Sequence, residues 1–170
     1  MAYRRHKKTP SLAWALIVAL FVVLRWYFGG DLSSDPPTVL QPGVYRVRRV
    51  VDGDTLVLAN EGRVRLIGAN TPETVRPNHP VEPWGPEATE FTRRLVAGRD
   101  VRLEMDGRRT DKYGRFLAHV WIDDKWLGEE LVRAGLAKAE TSYHFSADRK
   151  KRLVAAQEQA RLAERGIWSR

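Results

Sequence analysis

The 170-residue chain has no cysteine and only two methionines. Disulfides, thiolate nucleophiles and zinc sites built on cysteine are therefore excluded. The same lack suits an exported protein that folds without disulfide help. Its four histidines, His6, His79, His119 and His144, are scattered, which suggests no histidine metal triad. There is no internal repeat and no alternation of strand and helix of the kind that builds a parallel sheet. Acid is the minority charge: 21 Asp and Glu stand against 29 Lys and Arg, a formal net charge of +8. Such a balance attracts polyanions, whether nucleic acid, anionic lipid or acidic polymer. With 43% hydrophobic residues, one domain of ordinary size can bury a core and still leave a tail.

No apolar run reaches the roughly 20 residues that comfortably span hydrocarbon. The longest candidate is Leu12–Phe28, 17 residues interrupted by Arg25. Arg25 can snorkel to the interface, and Trp26, Tyr27 and Phe28 suit the headgroup belt. Residues 1–11 carry Arg4, Arg5, Lys7 and Lys8, whereas Asp31 and Asp35 follow the run. The positive-inside rule then puts the N-terminus in the cytoplasm and the remainder outside. A signal anchor at 12–28 is expected, with a secreted form after signal cleavage as the alternative. Residues 29–43, with Gly29-Gly30, Ser33-Ser34, Pro36-Pro37 and Pro42, read as a linker.

From Val44 to Arg170 the pattern is that of a folded domain. Strands are predicted at Val44–Val51, Thr55–Ala59, Arg63–Ala69, Val101–Met105 and Phe116–Ile122, the last two alternating apolar with other residues. Three helices follow from apolar spacing: one opened by Pro86 with Ala88, Phe91 and Leu95 inward and Gly98 at its end. A second carries Leu127, Leu131 and Ala134 and stops at Gly135. A third is N-capped by Ser146, with Leu153, Ala156, Ala160 and Ala163 on one side. The expected class is α+β, a small barrel with three helices. Trp84, Trp121, Trp126 and Trp168 read as packing residues, and Arg149-Lys150-Lys151-Arg152 as a solvated helix face.

Three clusters carry chemistry. Asp52-Gly53-Asp54-Thr55 sets two carboxylates two residues apart at a turn, where both can reach one side and offer oxygen to a hard cation such as Ca²⁺. Arg65-Leu66-Ile67-Gly68-Ala69-Asn70-Thr71-Pro72-Glu73 leads from a strand into a turn rich in amide, carbonyl and carboxylate oxygen. Arg109-Thr110-Asp111-Lys112-Tyr113-Gly114-Arg115 is a basic loop with an aromatic, and arginine grips phosphate oxygens bidentately. Taken alone, each reads as an ordinary turn or hairpin loop. Together they supply oxygen ligands, a carboxylate base and two arginines, the parts of metal-assisted phosphodiester hydrolysis.

These three clusters, with Trp84-Gly85-Pro86-Glu87-Ala88, Leu131–Lys138 and Gly166-Ile167-Trp168-Ser169, resemble the staphylococcal nuclease (thermonuclease) family in order and spacing over Val44–Arg170. The resemblance implies a five-stranded OB-type barrel with three helices. It implies a Ca²⁺-dependent nuclease that cuts DNA, RNA or both with little sequence preference. Asp54 would bind Ca²⁺ directly, with Asp52 close by and the Thr71 carbonyl as a further ligand. Glu73 would be the general base, and Arg65 and Arg115 would hold the scissile phosphate. Lys112 and Tyr143 match positions that contact a terminal phosphate, and Tyr113 of the same basic loop joins the substrate-binding set.

The chain departs from the family pattern at two places. Asn70 stands where an aspartate is usual, which removes one negative charge from the cation site; weaker Ca²⁺ binding, or tolerance of another divalent ion, would follow. Thr141 stands where an aromatic can stack on the base. No obligate protein partner is evident. The competing reading is a non-catalytic OB-type module that holds nucleic acid or protein at the membrane, which the presence of Glu73, Arg65 and Arg115 together disfavours.

Overall fold

The computed structural model describes residues 39–60, 62–75 and 80–169. The expected anchor at 12–28, most of the expected linker and His79 lie outside them. Among the described residues no helix is long and apolar enough to cross a membrane.

Five strands close into a barrel. They are β1 (Gly43–Asp52), β2 (Thr55–Leu58), β3 (Arg63–Leu66), β5 (Asp100–Glu104) and β6 (Phe116–Ile122). Their order is β3-β2-β1-β5-β6, all antiparallel, and a parallel pairing of β3 with β6 closes the ring. A short β7 (Lys125–Trp126) adds to β6, and β4 (Ala69–Asn70) pairs with β8 (Lys138–Ala139) as a separate ribbon. The helices are α1 (Gly85–Val96), α2 (Leu127–Arg133) and α3 (Ala147–Leu162). This is the α+β, OB-type architecture expected from the strand and helix signals. β1 starts at Gly43, and Leu40 just before it is 3% exposed, part of the core.

Val47, Leu56, Leu58, Val64, Leu66, Val101, Leu103 and Val120 fill the barrel. On β6 the expected alternation fails. Leu117 and His119 are buried along with Phe116, Ala118 and Val120. Its second face is covered too, with His119 edge-on against Trp126 and Phe145. The ribbon β4–β8 escaped prediction because two-residue strands are too short to show a period.

The helices start and stop where their punctuation indicates. Pro86 lies in the first turn of α1, and Gly98 follows it with φ +64°, a conformation that glycine adopts without strain. Ser146 Oγ accepts the Arg149 N–H at 3.4 Å to open α3. The buried face of α1 differs from expectation. Ala88, Thr92 and Val96 are fully buried, whereas Phe91 and Leu95 are only partly so. The rotation brings the Thr92 hydroxyl to the Gly53 carbonyl, which accepts at 2.6 Å and ties α1 to the β1–β2 turn. On α3, Leu153, Ala156 and Ala160 are buried, but Ala163 is past the helix end and exposed. Half of the basic run on α3 is structural. Arg149 pairs with Glu104 and Asp106, and Arg152 pairs with the buried Glu129 of α2, while Lys150 stands over the Phe145 ring and only Lys151, near Asp148, lies in solvent.

Candidate active site

Strand register assembles the site. β1 pairs Asp52 with Thr55, and β2 pairs Thr55 with Arg65. The carboxylates of the Asp52–Asp54 turn therefore sit at the end of β3 that carries Arg65. Gly53 lets this turn approach its neighbours: a Cβ there would come within 2.7 Å of Thr71 Cγ2 and 2.9 Å of Ala88 Cβ. No larger residue fits between the turn, the Thr71 loop and α1.

Asp54 is 3% exposed and is held from three sides. Its Oδ2 accepts the Thr71 N–H at 2.8 Å and the Thr71 hydroxyl at 2.9 Å, and it forms an ion pair with Arg65. Its Oδ1 accepts the Thr55 hydroxyl at 3.1 Å. Arg65 also donates to Asn70 Oδ1 at 2.7 Å. Burial, and then the Arg115 charge, lower the proton affinity of Arg65. A guanidinium nonetheless stays charged at physiological pH.

Asp52 and Glu73 face the same cleft and shift each other's proton affinity in opposite directions. Burial first, then the bond to Glu73 and its charge, push Asp52 up to about 6, against the pull of the Gly53 N–H at 2.6 Å. Glu73 moves the other way, held below the usual carboxylate range first by the Asp52 hydrogen bond and then by backbone donors and Arg65. The Glu73 backbone is fixed from outside: its N–H donates to Glu82 Oε2 at 3.1 Å, and its carbonyl accepts the Glu82 N–H at 2.9 Å.

Arg115 comes from the loop before β6, anchored where Thr110 bridges to Phe116. Asp111 organises this loop, accepting from Arg115 Nε at 2.6 Å, the Arg115 N–H at 3.0 Å and the Tyr113 N–H at 2.8 Å. Burial raises the Asp111 proton affinity, but these donors outweigh it and hold the carboxyl below its ordinary range. The other arm of Arg115 reaches Thr55 Oγ1 at 3.4 Å. Tyr113 is 70% exposed, with the Arg115 guanidinium 5.5 Å and Lys112 Nζ 5.0 Å from its ring centre.

The result is an open cleft of about 610 Å³. Asp52, Asp54, Arg65, Asn70, Thr71, Glu73, Tyr113 and Arg115 line it, all expected from the sequence. Lys112 and Tyr143 do not line it. Lys112 stands over Tyr113, and Tyr143 lies close enough to influence Arg65. Arg63 lines the cleft and was missed. Its signal was present, because Arg63 and Arg65 alternate with Val64 on the polar face of β3. Thr55, named in the Asp52–Thr55 cluster without a role of its own, links Asp54 to Arg115.

The donors fit a hard cation. They are all oxygen, and the Asp52, Asp54 and Glu73 carboxyls bring to one cleft negative charge that a divalent ion would offset. Among the described residues no three His, Cys, Asp or Glu side chains already surround one point. Asp52 and Asp54 would therefore hold the ion together with neutral oxygens from Asn70 and Thr71.

Comparison with known proteins settles the lineage. The family model described as "Staphylococcal nuclease homologue" matches residues 63–170. The chain belongs to the staphylococcal nuclease family. It is 39% identical to the thermonuclease of Staphylococcus hyicus, over 91% of this chain and 94% of the relative. It is 39% identical to that of Staphylococcus intermedius, over 96% of this chain and 99% of the relative. It is 36% identical to endonuclease YncB of Bacillus subtilis strain 168, over 72% of this chain and 60% of the relative. These relatives put it among enzymes that cleave phosphodiester bonds. The family works with a divalent cation.

Proposed function

We propose that the chain is a Ca²⁺-dependent nuclease that hydrolyses DNA, RNA or both with little sequence preference. The observation that carries the reading is one cleft lined together by Glu73, a carboxyl held below the usual carboxylate range, and by the two arginines Arg65 and Arg115. Ca²⁺, when bound, would supply positive charge against the scissile phosphate. Glu73 takes a proton from the attacking water, a role that needs an ionised carboxylate at neutral pH. The water oxygen forms a bond to phosphorus as the opposite phosphorus–oxygen bond breaks, and the leaving oxygen takes a proton from solvent. Arg65 and Arg115 stabilise the negative charge that grows on the phosphoryl oxygens. Arg115 reaches the cleft on a loop locked by Asp111, so little reorganisation is needed. No base-reading pocket is required for this chemistry, in keeping with weak sequence preference. Lys112, Tyr113 and Tyr143 would meet the substrate at the rim.

The test is cleavage of single- and double-stranded DNA and RNA by the full chain, with Ca²⁺ and with chelator. Cleavage that Ca²⁺ restores after chelation supports the reading. Binding without cleavage in Ca²⁺, Mn²⁺ and Mg²⁺ replaces it with a binding module.

We further propose that residues 12–28 anchor the enzyme with its catalytic domain on the extracytoplasmic side, on the strength of the basic flank and the apolar run. Recovery of the full chain in the membrane fraction, with the domain digestible by protease from the outer face, supports this. A mature chain in the medium lacking that segment means that it is cleaved.

A further inference from the structure

A second cleft of about 420 Å³ adjoins the catalytic one and shares Asn70 and Thr71 with it. Beyond those residues it is bounded by Pro72, Glu82, Trp84 and Lys138. We propose that this cleft is a nucleobase subsite, where Trp84 stacks on the base of the nucleotide next to the scissile phosphate. The inference rests on the nuclease reading above and adds to it a place for a neighbouring base.

Four observations support it. First, the two clefts meet at Asn70 and Thr71, so a strand whose phosphate lies between Arg65 and Arg115 has a continuous path over the Thr71-Pro72 turn. Second, the size fits a small planar group, since ligand clefts run from roughly 300 to 1,000 Å³. Third, Trp84 is 37% exposed, although a packing residue of its size would ordinarily be covered. Its backbone is left-handed, φ +70°, which is rare for a bulky residue. Next to it, Gly85 lies so close to the Glu73 loop that a Cβ would meet Thr74 Cγ2 at 2.6 Å and the Pro72 and Glu73 carbonyls at 3.2 Å. The backbone that carries the indole is thereby held against the Glu73 loop.

Fourth, charge divides the cleft. Lys138 is exposed opposite Asn70 in the β4–β8 pair and has no ion-pair partner among the described residues. It offers a contact for the next phosphate. Glu82, engaged with the Glu73 N–H, repels phosphate from the Trp84 end and leaves that end to a neutral base. An aromatic face accepts any base, so the subsite would add grip without sequence preference.

The experiment uses the full chain and short single-stranded DNAs with one cleavable phosphodiester. The nucleotide on one side of it, then on the other, is made abasic. The expected result is that the wild type loses about tenfold in kcat/KM when the base is removed on one side only, the scale of base–aromatic stacking. Trp84→Ala should no longer distinguish base from abasic unit on that side, while Trp84→Phe, which keeps an aromatic face, should still do so. Equal handling of abasic and base-bearing substrates by the wild type on both sides overturns the proposal, and so does a Trp84→Ala variant that keeps the full preference. A wild type that cuts neither substrate overturns the nuclease reading and the subsite with it. A wild type that cuts both equally overturns the subsite alone.

Discussion

Glu82 grips the backbone of Glu73 from both sides, accepting its N–H at 3.1 Å and donating its own N–H to the Glu73 carbonyl at 2.9 Å. One of these two bonds comes from the Glu82 side chain, so the position of the proposed base depends on an exposed residue nine positions away.

Glu82→Ala should therefore lower kcat by about tenfold, because a small displacement of a catalytic group is costly. Glu82→Gln keeps an acceptor oxygen and should retain most of the rate. Steady-state kinetics on one nucleic-acid substrate compares the three proteins. An unchanged kcat for Glu82→Ala would show that the backbone bond and packing at Gly85 are enough.

Asn70→Asp restores a negative charge beside the proposed cation ligands while keeping an acceptor for Arg65. Affinity for Ca²⁺ should rise by roughly tenfold, because affinity in oxygen-ligand sites follows ligand charge. Calorimetric titration with Ca²⁺ measures it, and activity at limiting Ca²⁺ should rise in parallel. Identical titrations would place Asn70 outside the cation site.

Gly53→Ala should destabilise the fold by about 1–3 kcal/mol, the usual cost of overpacking. The new methyl meets Thr71 and Ala88, and it also disturbs the turn that carries Asp52 and Asp54. Denaturant unfolding reads the stability, and activity should fall in conditions where the variant is still folded.

His119 should make the fold sensitive to acid. It is fully buried, and burial, then the nearby Arg149 charge, lower its pKa from 6.5 to about 4, with Asp106 opposing. The folded value is the depressed one, so the unfolded chain binds the extra proton first. The stability due to neutral His119 is present above pH 6.5 and is lost as the pH falls toward 4. At most it is on the order of 3 kcal/mol, at 1.36 kcal/mol per tenfold change in proton affinity. Unfolding at several pH values should show a shallower fall for His119→Leu than for the wild type across that window. Parallel curves would mean that the imidazole accepts its proton without cost.

Much of this site was legible in the residues. Asp52, Asp54, Arg65, Glu73 and Arg115 are charged, lie in turns or at strand ends, and match a family pattern in order, so they stood out. The barrel strands showed because four to ten residues of apolar pattern suffice for a period. The inward face of α1 showed only in part: Ala88 was expected there and is buried, and Thr92 was not expected. Thr92 is buried to hydrogen-bond Gly53, and a threonine counts as polar in any hydrophobic pattern. His119 was equally hidden, because its burial depends on Trp126 and Phe145 arriving from later in the chain. Trp84 read as core because aromatic size carries no information about which side solvent lies on.

In the proposed reaction Glu73 acts on the water while Arg65 and Arg115 act on the phosphate. Glu73→Gln keeps the shape of the side chain and removes its basicity. The decisive measurement is single-turnover cleavage by the purified full-length Glu73→Gln protein, beside its affinity for the same oligonucleotide. The rate should be lower by about 10²–10⁴-fold, the scale of general-base catalysis, with affinity held or raised by the loss of a negative charge. Cleavage by Glu73→Gln at the wild-type rate would contradict this role of Glu73.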